Sequence, residues 1–231
     1  FVIHTGWPNP GARRVIRDYS AIWERLATPV ILHLLANRTA EVARAAALFS
    51  AVANVRGIEL GFTAGVSRKR AAELIAAASL EGDLPVIAQI PFDRVEDLAP
   101  FLARQGADAL TLTAPPRAVL PVGDDEGNAG IARFSRGRLY GQALFPLLLN
   151  TLSRWGSKLP VPVIACGGIA SPEDALACLT LGAAAVQVDA LLWRDPALLD
   201  HIAQALAEPT AVRPMATGFL SSDEPEMEDG P

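Results

Sequence analysis

The chain has 231 residues, 51% of them hydrophobic, and its formal net charge at pH 7 is -5. This length favours one large α/β domain over two small ones, and the acidic balance gives no electrostatic surface for nucleic acid. No apolar run approaches the roughly 20 residues of a membrane span. Two cysteines, Cys166 and Cys178, lack metal-type spacing, so we expect a soluble protein of the reducing cytoplasm.

Strand-length apolar runs recur along the chain, and most are separated by a segment with apolar residues at helical spacing. The step between runs is roughly 24 to 28 residues, which is typical of βα units. About seven such runs are present where a (β/α)8 barrel has eight strands, so the pattern predicts an α/β, TIM-type barrel that is incomplete at its amino-terminal end. The runs cover residues 2–5, 30–34, 57–60, 85–90, 109–113, 161–165 and 185–188.

Three segments stand out between and after these runs. Residues 13–26 form an amphipathic helix whose apolar stripe, from Val15 to Leu26, is expected to face the core. Residues 114–138 break the regular step and predict a long loop at the carboxyl end of a strand, where this architecture places function. Residues 208–231 are acidic and rich in Pro and Ser, so we expect a disordered tail after a barrel domain spanning residues 1–207.

A glycine turn lies inside the last strand, helix, strand unit of the chain. Gly167 and Gly168 follow an apolar strand and precede a helix that begins at the N-cap residue Ser171, with Pro172 at its first position, and ends at Gly182. Backbone N–H groups at such a turn point at an anion-sized space. The sequence therefore predicts a phosphate cup at this place.

Several of these pieces, taken together and in order, resemble one known family, the dihydroorotate dehydrogenases, which are FMN-dependent (β/α)8 barrels of pyrimidine synthesis. The segment TGWPNPG at 5–11 is similar to the family's Gly-Leu-x-Asn-Pro-Gly turn. The resemblance implies an FMN oxidoreductase that acts on a CH–CH group. The other matching pieces are GIEL at 57–60, GADALTL at 106–112, GRLYG at 137–141 with Pro146, CGGI at 166–169 and VQV at 186–188.

The resemblance also assigns the catalytic positions, and this chain departs from the family at each of them. The family's motif Asn-x-Ser-Cys/Ser-Pro-Asn carries the base and two substrate-holding Asn residues. Here the base position is Ala64, and the two Asn positions are Gly61 and Val66. The Lys that contacts the flavin is replaced by Gln89, and a further substrate Asn by Ala114. The residue chemistry therefore argues against oxidation of dihydroorotate by this chain.

The phosphate-binding positions that the resemblance implies are partly kept. Gly141, Gly167 and Gly168 match the family, whereas its Gly-Thr after the last strand is replaced by Asp189 and Ala190. An ionised carboxylate about 4 Å from a phosphate would cost roughly 1 to 4 kcal/mol per charge pair. The backbone N–H of Asp189 could still serve if its side chain points away, so FMN binding depends on where that carboxylate lies.

Four other side chains have two interpretations each. His4 and His33 lie on predicted strands, where each is either an acid or base at the barrel mouth or a strand histidine that hydrogen-bonds locally. Ser67 is either a helix N-cap or a substitute for the lost base. Cys166, beside the glycine turn, is either a redox thiol or a small buried packing residue.

Two functions of different class remain open on the sequence. The first is an FMN oxidoreductase of the dihydroorotate dehydrogenase type that works with an altered set of residues. The second is a catalytically inactive barrel that serves as a binding or partner subunit. A third interpretation is a different barrel for a phosphate-bearing ligand, such as an isomerase or synthase, because many barrels share the glycine cup. A small-molecule ligand and a homo- or hetero-oligomer are expected, without nucleic acid.

Overall fold

The computed structural model describes residues 1–3, 9–36, 38–63, 65–122 and 133–207. His4, part of the 5–11 motif, the base position Ala64 and the 208–231 tail lie outside these described residues. The expectations for them, and for the extent of the domain, stay predictions.

Six strands form one parallel sheet, and their spatial order follows their order along the chain. A doubly wound sheet would reverse its order at a switch point, whereas a barrel does not. The predicted α/β fold, an incomplete TIM-type barrel, is therefore confirmed. The strands are β2 Val30–Ala36, β3 Val55–Phe62, β4 Val86–Pro91, β5 Ala109–Ala114, β8 Val163–Cys166 and β9 Ala185–Gln187, in the order β2-β3-β4-β5-β8-β9.

Helices connect these strands, and two of them begin where the sequence predicts. The Ser67 side chain accepts a hydrogen bond from the N–H of Arg70 (3.1 Å), and Ser171 accepts one from Asp174 (3.2 Å), as N-caps do. None of the described helices is long and apolar enough to cross a membrane. The helices are α1 Ala12–Trp23, α2 Thr39–Ser50, α3 Arg68–Glu81, α4 Val95–Leu102, α5 Phe145–Trp155, α6 Pro172–Thr180 and α7 Leu198–Ala207.

The core lies between the sheet and the helices. Side chains alternate between the two faces of a strand, so residues such as Ile58, Leu60 and Leu110 are fully buried against the helices. The intervening residues Glu59 and Thr111 are also buried, but they are polar and lie on the opposite face, the interior side of the barrel. The sheet is thus apolar toward the helices and partly polar toward the barrel interior.

The apolar run at Val2 is not a seventh barrel strand, which corrects the strand count. The two-residue strand β1, Val2–Ile3, pairs antiparallel with β7, Arg133–Leu139, which in turn pairs with β6, Arg117–Val122. A Cβ on Gly137 would lie 2.4 Å from the carbonyl oxygen of Ile3, so only glycine permits this close pairing. The predicted long loop at 114–138 accordingly contains two strands of a separate three-stranded sheet.

The apolar stripe of α1 is covered only in part, with Val15, Ile16 and Trp23 partly buried. The helix has no buried residue, and Tyr19 and Ile22 are about half exposed. The neighbouring edge strand β2 likewise exposes Ile31 and Leu35. The 3.6-residue periodicity indicates that a helix has an apolar face but does not specify which residues cover it. The described residues cover the apolar face of α1 only in part.

Candidate functional site

Two glycines with left-handed backbone conformations form the turn after β8. Gly167 has φ 132° and Gly168 has φ 74°, conformations that side-chain-bearing residues rarely adopt. The next amide, at Ala170, donates to the carboxylate of Asp174 (2.8 Å), while the described residues offer no acceptor to the amides of Gly167 and Gly168. These two N–H groups are therefore available to an anion, as the predicted phosphate cup requires.

Gly141 lies directly against this turn. A Cβ on Gly168 would lie 2.6 Å from the backbone nitrogen of Phe145 and 2.9 Å from the carbonyl oxygen of Gly141. Gly141 itself has φ 132° and precedes the short 3₁₀ turn Gln142–Leu144, which leads into α5. The structure thus brings Gly168 and Gly141 together, although they are far apart in the sequence.

Asp189 contributes negative charge to the same region. Asp189 follows β9 and precedes the 3₁₀ turn Ala190–Trp193, which begins at Ala190. The Oδ2 atom of Asp189 is buried. Tyr140 immediately precedes Gly141, and Cys166 immediately precedes Gly167. The pKa of each of these two residues is raised, first by burial and second by the negative charge of Asp189. The Asp189 carboxylate therefore acts electrostatically on the residues that flank the cup.

The two thiols show no sign of redox activation. Cys166 and Cys178 are both buried. Burial, followed by the charges of Asp189 and Glu59, raises the pKa of Cys166, and burial followed by the charge of Asp174 raises the pKa of Cys178 to about 12. Since the thiolate is the reactive form, the packing interpretation of Cys166 is favoured.

Phe1 lies beside the cup. The Phe1 nitrogen donates to the carbonyl of Tyr140 (2.9 Å), and the Tyr140 amide donates back to Phe1 (2.8 Å). The two rings stack with centroids 6.2 Å apart. A Cβ on Gly141 would lie 3.9 Å from the Phe1 nitrogen, so the first residue and the cup are neighbours.

A polar cluster occupies the interior face of the neighbouring strands. The Glu59 carboxylate, in a residue only 5% exposed, lies 2.8 Å from Nδ1 of His33 and accepts a hydrogen bond from the Thr111 hydroxyl at 2.6 Å. The Gln89 amide donates a longer bond to the same carboxylate (3.4 Å). His33 therefore hydrogen-bonds across strands rather than locally, which neither interpretation of the sequence specified.

The imidazole of His33 fills the space where a side chain at position 61 would stand. A Cβ on Gly61 would lie 2.7 Å from both Cε1 and Nε2 of His33, which is shorter than the contact distance of about 3.5 Å between nonbonded carbon atoms. The substrate Asn that the family resemblance places at this position cannot be accommodated here without displacing His33.

The other sequence-predicted positions are distributed along the carboxyl ends of the strands. Val66 and Ala114 are buried and apolar, so neither could hold a polar substrate. Gln89 lies on β4 beside Gly61 of β3. Within the described part of the chain, no lysine or arginine is hydrogen-bonded to Gln89 or Glu59. Gln89 therefore has no cationic hydrogen-bond partner among the described residues.

A cleft of about 250 Å³ opens at the carboxyl ends of β3, β4 and β5, beneath the β6–β7 pair. Arg94 on the wall of the cleft donates a hydrogen bond to the carbonyl of Val66 (3.0 Å) and forms an ion pair with Asp97. Asp97 also pairs with Arg68, and the hydrogen bonds from Arg94 and Arg68 lower the pKa of Asp97. Arg138 donates to the carbonyl of Pro115 (2.8 Å). Arg117, opposite Arg138 in register, also lines the cleft.

Sequence reasoning missed the polar cluster and these arginines. Arg117 and Arg138 fall in the segment predicted as a loop, where only the pairing of β6 with β7 places them side by side. Glu59 did carry a signal, because a carboxylate at an alternating position within a strand must be either exposed or paired. That signal could have connected Glu59 with His33, a candidate in its own right, which is opposite Glu59 in the parallel register.

The sequential parallel sheet, with a glycine turn at its carboxyl edge, defines the class of protein as an incomplete α/β barrel. A family model described as dihydroorotate dehydrogenase matches residues 123–209. The chain is 29% identical over 218 residues to the dihydroorotate dehydrogenase B (NAD(+)) catalytic subunit of Geobacter sp. (strain M21), covering 88% of this chain and 70% of that protein. The chain is thus similar to proteins of the dihydroorotate dehydrogenase family along most of its length.

Two further bacterial proteins have the same name, and their sequence identity to this chain is similar. The one from Bacillus pumilus is 25% identical over 234 residues, covering 95% of this chain and 73% of the relative. The one from Porphyromonas gingivalis is 25% identical over 217 residues, covering 88% and 69%. The similarity therefore extends well beyond the segment that the family model matches.

Proposed function

We propose that this chain is an FMN-type oxidoreductase of the dihydroorotate dehydrogenase family whose substrate is not dihydroorotate. The observation that carries the proposal is the occupation of the Gly61 side-chain space by His33, held by the buried carboxylate of Glu59. The substrate-holding side chain is thereby replaced by a different polar group at the same place. The barrel fold is the same as in the relatives, whereas the side chains that would contact the substrate differ.

The residues present fit the phosphate end of FMN. Gly167 and Gly168 present free amides, and the close approach of Gly168 to Gly141 builds a compact backbone wall for the phosphate. When bound, FMN would supply the capacity to accept a hydride. At the ring end, Gln89 could donate one hydrogen bond but supplies no positive charge, so we expect its redox tuning to differ from that of the relatives.

We further propose a cytoplasmic protein that works within an assembly. Two buried, unpaired cysteines suit a reducing compartment. The relatives are named catalytic subunits, which supports a subunit role for this chain as well. Size-exclusion chromatography with light scattering measures the assembly directly.

The second candidate function is a barrel without catalytic activity that serves as a binding or partner subunit. The neutral Gln89 beside the anionic Glu59 favours it, because this pair does not stabilise a reduced flavin anion. The visible spectrum of the purified full-length protein separates the two candidates. A flavin absorption band supports the oxidoreductase, whereas a colourless protein that also fails to bind added FMN supports the partner subunit.

Replacing Asp189 by Asn is expected to tighten FMN binding by up to about tenfold, or ~1.4 kcal/mol, because it removes a negative charge beside the phosphate cup. Isothermal titration calorimetry with FMN, and separately with inorganic phosphate, measures the change. Asp200→Asn, an exposed change on α7, is the matched control and should leave both affinities unchanged. Equal affinities for Asp189→Asn and the original protein would show that the ligand does not place an anion near Asp189.

A further inference from the structure

The cluster around Glu59 has a defined hydrogen-bonding direction. An ionised carboxylate accepts hydrogen bonds and donates none, so with Glu59 ionised the proton of the 2.8 Å contact lies on Nδ1 of His33. Thr111 donates to the other carboxylate oxygen at 2.6 Å. In neutral His33, the second ring nitrogen, Nε2, is then the acceptor.

The position of Nε2 is set by the strand register. His33 is opposite Glu59, and Nε2 stands beside Gly61, two residues closer to the carboxyl end of β3. His33 lines a pocket of about 400 Å³ at the edge strand β2, together with Gly11 and Val15. The His33 side chain is 46% exposed, whereas that of Glu59 is 7% exposed. The buried Glu59 carboxylate therefore contacts Nδ1 of His33, while the rest of the His33 side chain is partly exposed to solvent.

We propose that Glu59 and His33 form a carboxylate–imidazole dyad in which Nε2 of His33 accepts a proton from a ligand at the carboxyl end of the sheet. The ligand class is a small molecule with a polarised N–H, O–H or carbonyl-adjacent C–H bond. In the transfer, that bond breaks, its electron pair stays on the ligand, and a new N–H bond forms at Nε2. Glu59 is a positioning residue that stabilises the imidazolium ion so formed.

The dyad places a proton acceptor at His33, away from position 64, where the family resemblance places the base. Ala64 cannot accept a proton, and Ser67 is occupied as the N-cap of α3. Among the described residues, His33 is the ionisable side chain that Glu59 holds on the interior face. The assignment rests on the proposed function only for the location of the ligand, because the hydrogen bonds of the dyad need no flavin.

Two measurements on the full-length, flavin-free chain test the dyad. Long-range proton–nitrogen NMR of an isotope-labelled sample, with the signals assigned through His33→Gln, should show neutral His33 with its proton on Nδ1. Diethyl pyrocarbonate, followed by mass spectrometry, should modify His33 readily at Nε2. Replacement of Glu59 by Gln should slow that modification about tenfold or more, because the ring loses its fixed tautomer. His201 is the internal reference, and Glu81→Gln, an exposed carboxylate change, is the matched control.

The outcomes are distinct even if a variant fails to fold. A proton on Nε2 in the unmodified protein overturns the proposal without reference to any variant. Modification of His33 at the same rate in Glu59→Gln, with folding confirmed by circular dichroism, overturns it as well. Restored reactivity in Glu59→Asp, which keeps the charge, supports it. Added FMN is a separate test: rapid modification that FMN does not suppress leaves the dyad intact and counts against the flavin site.

Discussion

Purified full-length protein supplied with FMN is expected to oxidise dihydroorotate at a negligible rate. Loss of a positioned general base typically costs roughly 10² to 10⁴-fold in rate, and the base position here is Ala64. The groups that would hold the substrate are lost as well, since His33 fills the space at Gly61 and both Val66 and Ala114 are buried and apolar. Anaerobic flavin bleaching on addition of dihydroorotate measures the rate.

Restoring the base alone is not expected to rescue this reaction. Ala64→Cys supplies a thiol but leaves the substrate unheld, and the effects of residues that act as a unit are not additive. Gly61→Asn alone should not help either, because its Cβ would collide with the imidazole of His33 at 2.7 Å. The relative from Geobacter sp., assayed in parallel, shows that the assay responds. Robust turnover by the unmodified protein would contradict the prediction and show that the residue correspondence is out of register.

A large loss of stability is expected when Gly168 is replaced by Ala. The new Cβ would lie 2.6 Å from a backbone nitrogen, and the residue would retain φ 74°. The left-handed conformation costs roughly 1 to 2 kcal/mol, and the backbone collision adds to it, so we expect a loss of about 3 kcal/mol or more in the free energy of unfolding. Urea denaturation followed by circular dichroism measures that free energy.

Gly106→Ala separates the two contributions to this loss. Gly106 also has a positive φ, 91°, but a Cβ there meets nothing within 4 Å. Its replacement should therefore cost only the conformational part, roughly 1 to 2 kcal/mol. If both variants lose the same free energy, the close contact between Gly168 and the start of α5 does not exist as described, and the geometry of the cup must be revised.

The sequence predicts most of the barrel because its signals are local. Strand-length apolar runs and helical periodicity are properties of neighbouring residues, and the N-caps Ser67 and Ser171 are read from short motifs. The glycine turn at Gly167 and Gly168 belongs to the same class, since a turn that requires positive φ selects glycine directly. These features are therefore found where they were expected.

The features that the sequence does not predict depend on partners distant along the chain. Whether Val2 joins the barrel or another sheet is decided by β7, more than a hundred residues away. The role of His33 depends on Glu59 and on the absence of a side chain at Gly61. A histidine within a strand looks the same in the sequence whether it packs, hydrogen-bonds or accepts a proton, so this part of the site needed coordinates.

The pairing of Phe1 with Tyr140 has a practical bearing on every binding measurement. The Phe1 backbone stands next to Gly141, so any segment that precedes Phe1 would emerge beside the cup. Affinities for FMN should therefore be compared between samples that differ only in the residues before Phe1, so that an effect of those residues is not attributed to the glycines.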